Sequence, residues 1–267
     1  MRILSSNNLR YGLAISANCP LRHLSLRHSA AYNCRVPDNC QICGISLEHV
    51  LRRTNWAQSL STEEFGRALE GTTERFVPAA GFVCRKGEPV DHWFGIVDGL
   101  AKMSSDWASG KTASYTGIAA GGWFGEGSML KPEPRRYDVV ALRDTRVACV
   151  KRETFHWLLD HSIPFNRFVI NQINERLGLF IGLLESERLA DIDARVARAI
   201  AALFHPVLQP GIESRIAISQ GEIGFLAGVS RQRVNRTLRT LEQAGFLITE
   251  YGSIRVLDLG GLRHFAG

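Results

Sequence analysis

The sequence predicts an α+β protein in which an antiparallel β-roll or jelly roll, one long helix, and a helix-turn-helix with a β-hairpin follow one another. The β-rich part is indicated by short apolar runs separated by glycines between about residues 72 and 149. The long helix is indicated by apolar residues that recur every three or four positions after residue 164. The C-terminal part is indicated by two short helical patterns that flank a glycine, the second of them strongly basic.

Length, composition and charge limit the classes of protein that the chain can be. Its 267 residues suit about two modest domains, and a hydrophobic content of 45% is enough for packed cores. No run of about 18 apolar residues occurs, so we expect no transmembrane helix and no membrane partner. No signal-peptide apolar region follows Met1, so we expect a cytoplasmic protein. The net charge of +6 indicates a mild preference for polyanionic partners.

Residues 1–46 are predicted to form a basic, cysteine-containing extension outside the folded domains. The first 37 residues hold five arginines, and no acidic residue precedes Asp38. Apolar periodicity is weak there. Either this segment is loosely ordered, or the start of the chain has been assigned too far upstream.

Residues 47–163 are predicted to form the β-roll. A helix comes first, because Ser61 and Glu64 have the spacing of a capping box and apolar residues follow at helical spacing. Short strands with glycine-containing turns come next. The strand patterns are clearest over 82–84, 92–97, 139–142 and 147–150.

Residues 164–190 are predicted to form one long helix, with Pro164 in its first turn and no further proline before Leu189. Its apolar stripe is too wide for a helix that packs on one side only. Either the helix is buried in the core of its own chain, or it forms a partly coiled-coil seam with a second copy. We favour the second explanation, because the helix bridges two domains, and we therefore expect a homodimer.

Residues 191–267 are predicted to form a compact block that contains the helix-turn-helix. Ser219 and Glu222 have the spacing of a second capping box, at the start of the first helix. A glycine-containing turn follows, and Ser230 has the side chain to cap the second helix, which runs over 231–244.

The second helix divides into an apolar stripe and a basic face. Val234, Leu238 and Leu241 repeat at positions i, i+4 and i+7, whereas no acidic residue occurs between Ser230 and Leu241. Arginine matches the acceptors of guanine, and glutamine or asparagine matches adenine. A β-hairpin over 246–256 completes a winged helix-turn-helix and predicts double-stranded DNA as the partner. The candidate DNA contacts are Ser219, Gln220, Ser230, Arg231, Gln232, Arg233, Asn235, Arg236 and Arg239.

Two other classes of function compete with DNA binding. The helix-turn-helix can instead be a surface for another protein, which makes the chain a ligand-sensing interaction module. DNA binding, unlike such an interaction, weakens steeply with salt. An enzyme has little support, since no nucleophile elbow, Walker loop or metal-hydrolase motif occurs in the sequence.

Two segments of the C-terminal block, ISQGEIG over 218–224 and VSRQRVNR over 229–236, resemble the helix-turn-helix of the Crp/Fnr family of bacterial transcription regulators. The resemblance extends over roughly residues 60 to 265. It implies a dimeric DNA-binding regulator that responds to an effector in the β-roll and that has RNA polymerase as a further partner.

The same resemblance assigns roles within the second helix. It implies that Arg231 and Arg236 contact bases, and that Gln232 takes the place of the family's usual glutamate. Glutamate accepts from cytosine, whereas glutamine pairs best with adenine, so the preferred half-site is expected to differ from the commonest one.

The segment GWFGEGSML over 122–130 is rich in glycine. Such glycines can let backbone amides converge on an anion, although tight β-turns are the more common reason for them. Glu126 can accept from a sugar hydroxyl and Arg136 can pair with a phosphate. The segment also resembles the phosphate-binding cassette of cyclic-nucleotide domains, which implies these same two roles. The candidate effector contacts are Gly125, Glu126, Gly127, Ser128, Arg136 and Tyr137.

Two features depart from that family pattern. Tyr137 stands where the family has a small hydroxyl residue, and Phe180 and Ile181 stand near the places where the long helix usually offers hydroxyls to the base. The effector is therefore either a cyclic nucleotide or a different small molecule. Its binding is expected to change how two long helices pack, and so to reorient the recognition helices.

The cysteines offer a second kind of sensor. Cys34, Cys40 and Cys43 precede the β-roll, where Fnr-type regulators place three ligands of an iron–sulfur cluster, and Cys149 can supply a fourth thiolate. The order of the spacings is the reverse of the Fnr pattern, and Cys149 is one residue out of register. The Cys-x2-Cys pair also suits zinc, and ordinary free cysteines are the third explanation. A cluster would make the protein a redox or oxygen sensor.

Overall fold

The computed structural model describes residues 46–106, 112–131, 133–189 and 191–266, which belong to one compact unit. Within them, eight strands form a β-roll. These are β1 (Thr72–Val77), β2 (Phe82–Cys84), β3 (His92–Asp98), β4 (Leu100–Asp106), β5 (Thr112–Ala119), β6 (Trp123–Phe124), β7 (Asp138–Ala141) and β8 (Thr145–Lys151).

The eight strands form two antiparallel sheets of four strands each, in the orders β1-β8-β3-β6 and β2-β7-β4-β5. Because side chains alternate between the two faces of a strand, each sheet contributes one apolar face to a shared core. That core contains Ile96 and Phe124 from the first sheet and Met103 and Val139 from the second, all buried. The antiparallel β-roll predicted from the sequence is confirmed.

Helices accompany the strands of the β-roll. The one after the capping box begins as predicted, because the Ser61 amide donates to Glu64 Oε2 at 2.7 Å and the Glu64 amide donates to Ser61 Oγ at 3.2 Å. The described helices of this part are α1 (Leu47–Arg52), α2 (Thr62–Glu70), α3 (Glu126–Met129) and α4 (Arg152–His161), with a 3₁₀ turn at Ala57–Ser59.

A cluster of aromatic rings joins these helices to the first sheet. Trp93 and Trp123 have ring centroids 4.3 Å apart, and Trp56 lies 5.3 Å from Trp93. Phe155 and Phe165 extend the cluster through edge-to-face contacts. Since Phe165 belongs to the long helix that follows, this cluster fixes the start of that helix on the β-roll.

The long helix α5 (Ile163–Leu189) has 27 residues and two apolar faces. Phe165 and Val169 are buried against the aromatic cluster. On the other face a second set of large apolar side chains is exposed, which accounts for the width of the stripe seen in the sequence. The exposed set is Ile170, Ile173, Leu177, Ile181 and Leu184.

In the described residues of the C-terminal part, four helices pack with a small antiparallel sheet. Val234, Leu238 and Leu241 are buried in its core together with Ile223 and Ile254. The sheet has the order β10-β11-β9, so the predicted hairpin gains a third strand that the sequence did not indicate. The elements are α6 (Ile192–Ala202), β9 (Arg215–Ala217), α7 (Gln220–Ala227), α8 (Arg231–Gln243), β10 (Leu247–Glu250), β11 (Ser253–Val256) and α9 (Leu259–His264).

None of the helices in the described part of the chain is both long enough and apolar enough to span a bilayer.

Gly95 on β3 provides a test of how tightly the aromatic cluster is packed. A Cβ at this position would lie 2.5 Å from Trp123 Cε2, in a cluster that leaves the indole no room to move. We expect Gly95→Ala to lower the free energy of unfolding by about 1–3 kcal/mol, because overpacking forces neighbours out of their preferred rotamers. Urea denaturation measures the change.

Gly66 in α2 is the matched control, since a Cβ there meets nothing within 4 Å. Gly66→Ala should raise the stability by roughly 0.5–1 kcal/mol through helix propensity. Equal effects of the two substitutions would contradict this account of Gly95.

Candidate functional site

Two serine caps and a glycine turn set the geometry of the helix-turn-helix. The Ser219 amide donates to Glu222 Oε2 at 2.7 Å, which fixes the start of α7. Gly228 ends that helix in the left-handed conformation, with φ 65°, where a side chain would be strained. Ser230 Oγ then accepts from the Arg233 amide at 3.3 Å and starts α8. The caps and the turn predicted from the sequence are present.

The helix α8 has one buried and one exposed face. Val234, Leu238 and Leu241 lie in the core. Four of the predicted DNA contacts, Arg231, Gln232, Arg236 and Arg239, are exposed, and Asn235 is half-buried. Of the remaining candidates, Gln220 is the half-buried first residue of α7, and the hydroxyls of Ser219 and Ser230 serve as helix caps.

Arg233 is placed differently from the prediction. Its Nη2 lies 2.9 Å from Asp193 Oδ1 and 3.5 Å from Asp191 Oδ1, and the hydroxyl of Thr237 also donates to Asp193. Arg233 therefore ties α8 to the N-terminus of α6 and points away from the exposed face. Helical periodicity could show that Arg233 lies off the apolar stripe, but it could not show two carboxylates forty residues upstream.

The wing lies beyond α8. Tyr251, at the tip of the hairpin, is fully exposed. Glu250, the residue before Tyr251, pairs with Arg215 of β9 at 2.7 Å, so a charged contact holds the added strand against the hairpin near its tip.

A buried ion pair dominates the predicted effector site. Glu126 is the first residue of α3 and is buried after Gly125, the N-cap. Its Oε1 accepts from Arg176 Nε of α5 at 2.7 Å, and Arg176 Nη2 donates to the Trp123 carbonyl at 2.7 Å. Glu126 Oε2 is buried and has no hydrogen-bond partner among the described residues. The site therefore keeps one buried acceptor available for a ligand.

A cleft of about 310 Å³ opens beside this pair. Glu126, Gly127, Ser128, Arg136 and Tyr137 of the predicted set line it, together with Ile173, Arg176, Leu177 and Phe180 of α5. Burial raises the pKa of the Tyr137 hydroxyl far above its usual range, and the nearby carboxylate of Glu126 raises it further. Tyr137 is therefore a neutral hydroxyl inside the cleft at any physiological pH.

Two consecutive arginines divide between the rim and the interior. The Arg136 side chain is 70% exposed and pairs with Glu133 at 2.5 Å. Arg135 is buried; its Nη2 donates to the His92 carbonyl at 2.6 Å, and its Nη1 has no partner among the described residues. From the sequence we selected Arg136 and not Arg135, because spacing along a loop does not show which of two adjacent arginine side chains is buried.

Two family models match successive parts of the chain. A cyclic nucleotide-binding domain model matches residues 74–162, which include nearly all of the β-roll and its side of the cleft, and a Crp-like helix-turn-helix domain model matches residues 194–265. The chain belongs to the Crp/Fnr family of transcription regulators. The resemblance noted in the sequence is thus confirmed, and so is its main implication, a DNA-binding regulator of the Crp/Fnr type.

Individual relatives of this Crp/Fnr regulator match most of its length. It is 25% identical over 216 residues to a CRP-like cAMP-activated global transcriptional regulator of Mycobacterium tuberculosis, covering 79% of this chain and 96% of that one. It is 26% identical over 207 residues to the cyclic AMP receptor protein of Thermus thermophilus, covering 78% and 94%. Among solved structures, FixK2 from Bradyrhizobium japonicum has the same fold, with a TM-score of 0.60, 19% identity, and coverage of 73% of this chain and 98% of that one.

Only one of the four cysteines predicted to bind a metal lies in the described part of this regulator. Cys34, Cys40 and Cys43 lie outside the described residues. Cys149 on β8 is buried in the core between the sheets, and burial raises the pKa of its thiol to about 11. Among described residues, no three His, Cys, Asp or Glu side chains are grouped to hold a metal ion. The iron–sulfur and zinc hypotheses stay predictions.

Proposed function

We propose that this regulator acts as a dimer, reads a palindromic DNA site with α8, and is controlled by a small ligand in the cleft beside Glu126. The observation that carries the DNA-reading role is the exposed basic face of α8 opposite its buried stripe. Since its target is DNA, we expect it in the cytoplasm, with RNA polymerase as a further partner.

The exposed side chains of α8 have the chemistry of base recognition. Arg231 is in the first turn and Arg236 in the second, where residues of a recognition helix reach base edges. The guanidinium fork matches the O6 and N7 acceptors of guanine. No carboxylate lies on this face between Arg231 and Leu241, so nothing on it repels phosphate.

Alanine substitution of Arg231 or Arg236 tests this role. Each variant should lose about 1–3 kcal/mol, or roughly 5- to 150-fold in affinity, for a duplex that the wild-type protein enriches from a randomised pool. Fluorescence anisotropy over a series of salt concentrations gives both the affinity and the salt slope. Arg53→Ala, which removes an exposed arginine at the end of α1, is the control and should bind normally. Unchanged affinity of both α8 variants would favour a protein-interaction module.

The exposed face of α5 supports dimerisation. Ile170, Leu177, Ile181 and Leu184 are separated by seven, four and three positions, the spacing of a and d residues in a coiled coil. Large apolar side chains in a row on a single helix seldom stay exposed to water. A second α5 across a two-fold axis covers them and sets two α8 helices about one DNA turn apart.

Leu177→Glu tests the dimer. A carboxylate at the centre of the proposed seam cannot be buried without a large desolvation cost, so the variant should sediment as a monomer where the wild type sediments as a dimer. Leu257→Glu is the control, because Leu257 is 55% exposed and Leu177 59%, but Leu257 lies outside α5. If both variants remain dimers, α5 is not the seam.

The ligand proposal rests on the cleft and on its position beside α5. Glu126 offers a buried acceptor, Arg136 a cation at the rim, and the two relatives above are named as cAMP-activated and as a cyclic AMP receptor. We propose a cyclic nucleotide. Leu177 both lines the cleft and belongs to the exposed face of α5, so a ligand that contacts it shifts the packing of the dimer helices.

Calorimetric titration with cAMP and with cGMP tests the ligand class. Arg136→Ala should weaken binding about 10- to 100-fold, because a charged hydrogen bond to phosphate contributes roughly 1.5–3 kcal/mol. Arg53→Ala should leave binding unchanged. If neither cAMP nor cGMP produces binding heat, the effector belongs to another chemical class.

A further inference from the structure

The β-roll and the DNA-binding part meet at an interface, which we call the docking face, that combines apolar packing of Leu100 and Ala119 against the C-terminal core with polar contacts. On the β-roll it consists of β5, the edge strand of its sheet, and the turn between β7 and β8. On the DNA-binding part it consists of α6, α7 and the segment 203–211. An edge strand has backbone N–H and C=O groups that no neighbouring strand pairs, and the DNA-binding part supplies partners for those of β5.

Gln209 pairs with the free edge of β5. Its side chain is buried, with 4% of the residue exposed. Oε1 accepts from the Ala119 amide at 2.9 Å, and Nε2 donates to the Gly117 carbonyl at 2.9 Å. One side-chain amide thus makes the donor and acceptor contacts that a neighbouring strand would make. This contact is specific in direction, because an amide has one oxygen and one nitrogen.

Glycines at the docking face leave room for the contact between Gln209 and β5. A Cβ at Gly122 would lie 2.7 Å from Gln209 Oε1. A Cβ at Gly211 would lie 2.5 Å from the Ala120 carbonyl oxygen, which is backbone and cannot turn aside. The two parts therefore approach each other backbone against backbone, at a distance that only glycine allows.

Arg143, in the turn between β7 and β8, makes a second contact at the docking face. Its Nε donates to Glu222 Oε1 at 2.8 Å and its Nη2 donates to the Ala217 carbonyl at 2.8 Å. The other oxygen of Glu222 accepts from the Ser219 amide in the capping box. One carboxylate thus both starts α7 and ties it to the β-roll.

We propose that Gln209 is a positioning residue, through which the β-roll holds the helix-turn-helix in the orientation that binds DNA. The proposal rests on the DNA-reading role of α8. In the docked arrangement the basic face of α8 is exposed, so docking covers none of the residues that read bases. A helix-turn-helix that is already held in one orientation loses less conformational entropy when it binds DNA, so its affinity for DNA is higher.

Gln209→Leu removes both hydrogen bonds at nearly the same volume. The Ala119 amide then loses its Gln209 partner and the Gly117 carbonyl keeps only the 3.3 Å contact with the Thr116 hydroxyl, which favours separation of the two parts. We expect about tenfold faster hydrogen exchange in the peptide that contains Ala119, and about tenfold weaker binding to the duplex enriched by the wild type. Gln58→Leu is the matched control, because Gln58 is exposed and bonds only within its own segment.

Gln209→Glu keeps the shape and makes the contact titratable. A protonated carboxyl group offers the same donor and acceptor as the amide, whereas an ionised one places a negative oxygen against the Gly117 carbonyl. Burial favours the protonated form. The ratio of its DNA dissociation constant to that of the wild type should therefore fall from about ten at pH 8 towards one near pH 5.5. His205 and Glu175 lie near this segment and are present in both proteins, so taking the ratio removes their contribution.

The results separate this proposal from the proposed function. If the wild type enriches no duplex, the DNA-reading role fails, and the positioning role fails with it. If the wild type binds but Gln209→Leu binds equally well or more tightly, only the positioning role is wrong. Unchanged exchange at Ala119 in Gln209→Leu, or a pH-independent ratio for Gln209→Glu, would also overturn it.

Discussion

A buried ion pair fixes the long helix on the β-roll, and the other functional surfaces depend on where that helix lies. Arg176 of α5 meets Glu126 at the start of α3, and both Arg176 and Gln172 donate to the carbonyl of Trp123. Removing one member of a buried pair leaves an uncompensated charge, at a cost of about 3–5 kcal/mol. The face of α5 turned towards the β-roll is therefore set, and the apolar face turned away from it is set at the same time.

This arrangement places the ligand cleft and the proposed dimer seam on one element. The wall of the cleft and the exposed stripe share Ile173 and Leu177. A ligand that displaces these two side chains therefore also changes the surface of the proposed dimer seam. Packed helices have a few discrete arrangements instead of a continuum, which allows a small ligand to select between two of them. The docking face then connects the β-roll to the helix-turn-helix through Gln209 and Arg143.

Local sequence signals predicted much of the fold and part of the site. Ser61, Ser219 and Ser230 each cap a helix, because capping depends on residues three or four positions apart. The buried and exposed faces of α8 follow from helical periodicity in the same way. The third strand of the wing and the ion pairs of Arg233 and Arg176 were not predicted. Each of these joins residues that are far apart in sequence, where no local pattern exists.

The sequence by itself determined the kinds of element, their order, their caps, and which face of α8 carries its arginines, since these are consequences of short-range sterics and of spacing along one chain. Only the tertiary structure decided which polar groups bind partners inside the protein and which stay exposed. It pairs Arg233 with Asp193, turns Arg135 inward and Arg136 outward, and buries the amide of Gln209 against β5. The physical reason is that a charged or polar side chain binds whichever partner the fold brings within about 3 Å, and that partner is chosen by the packing of distant segments.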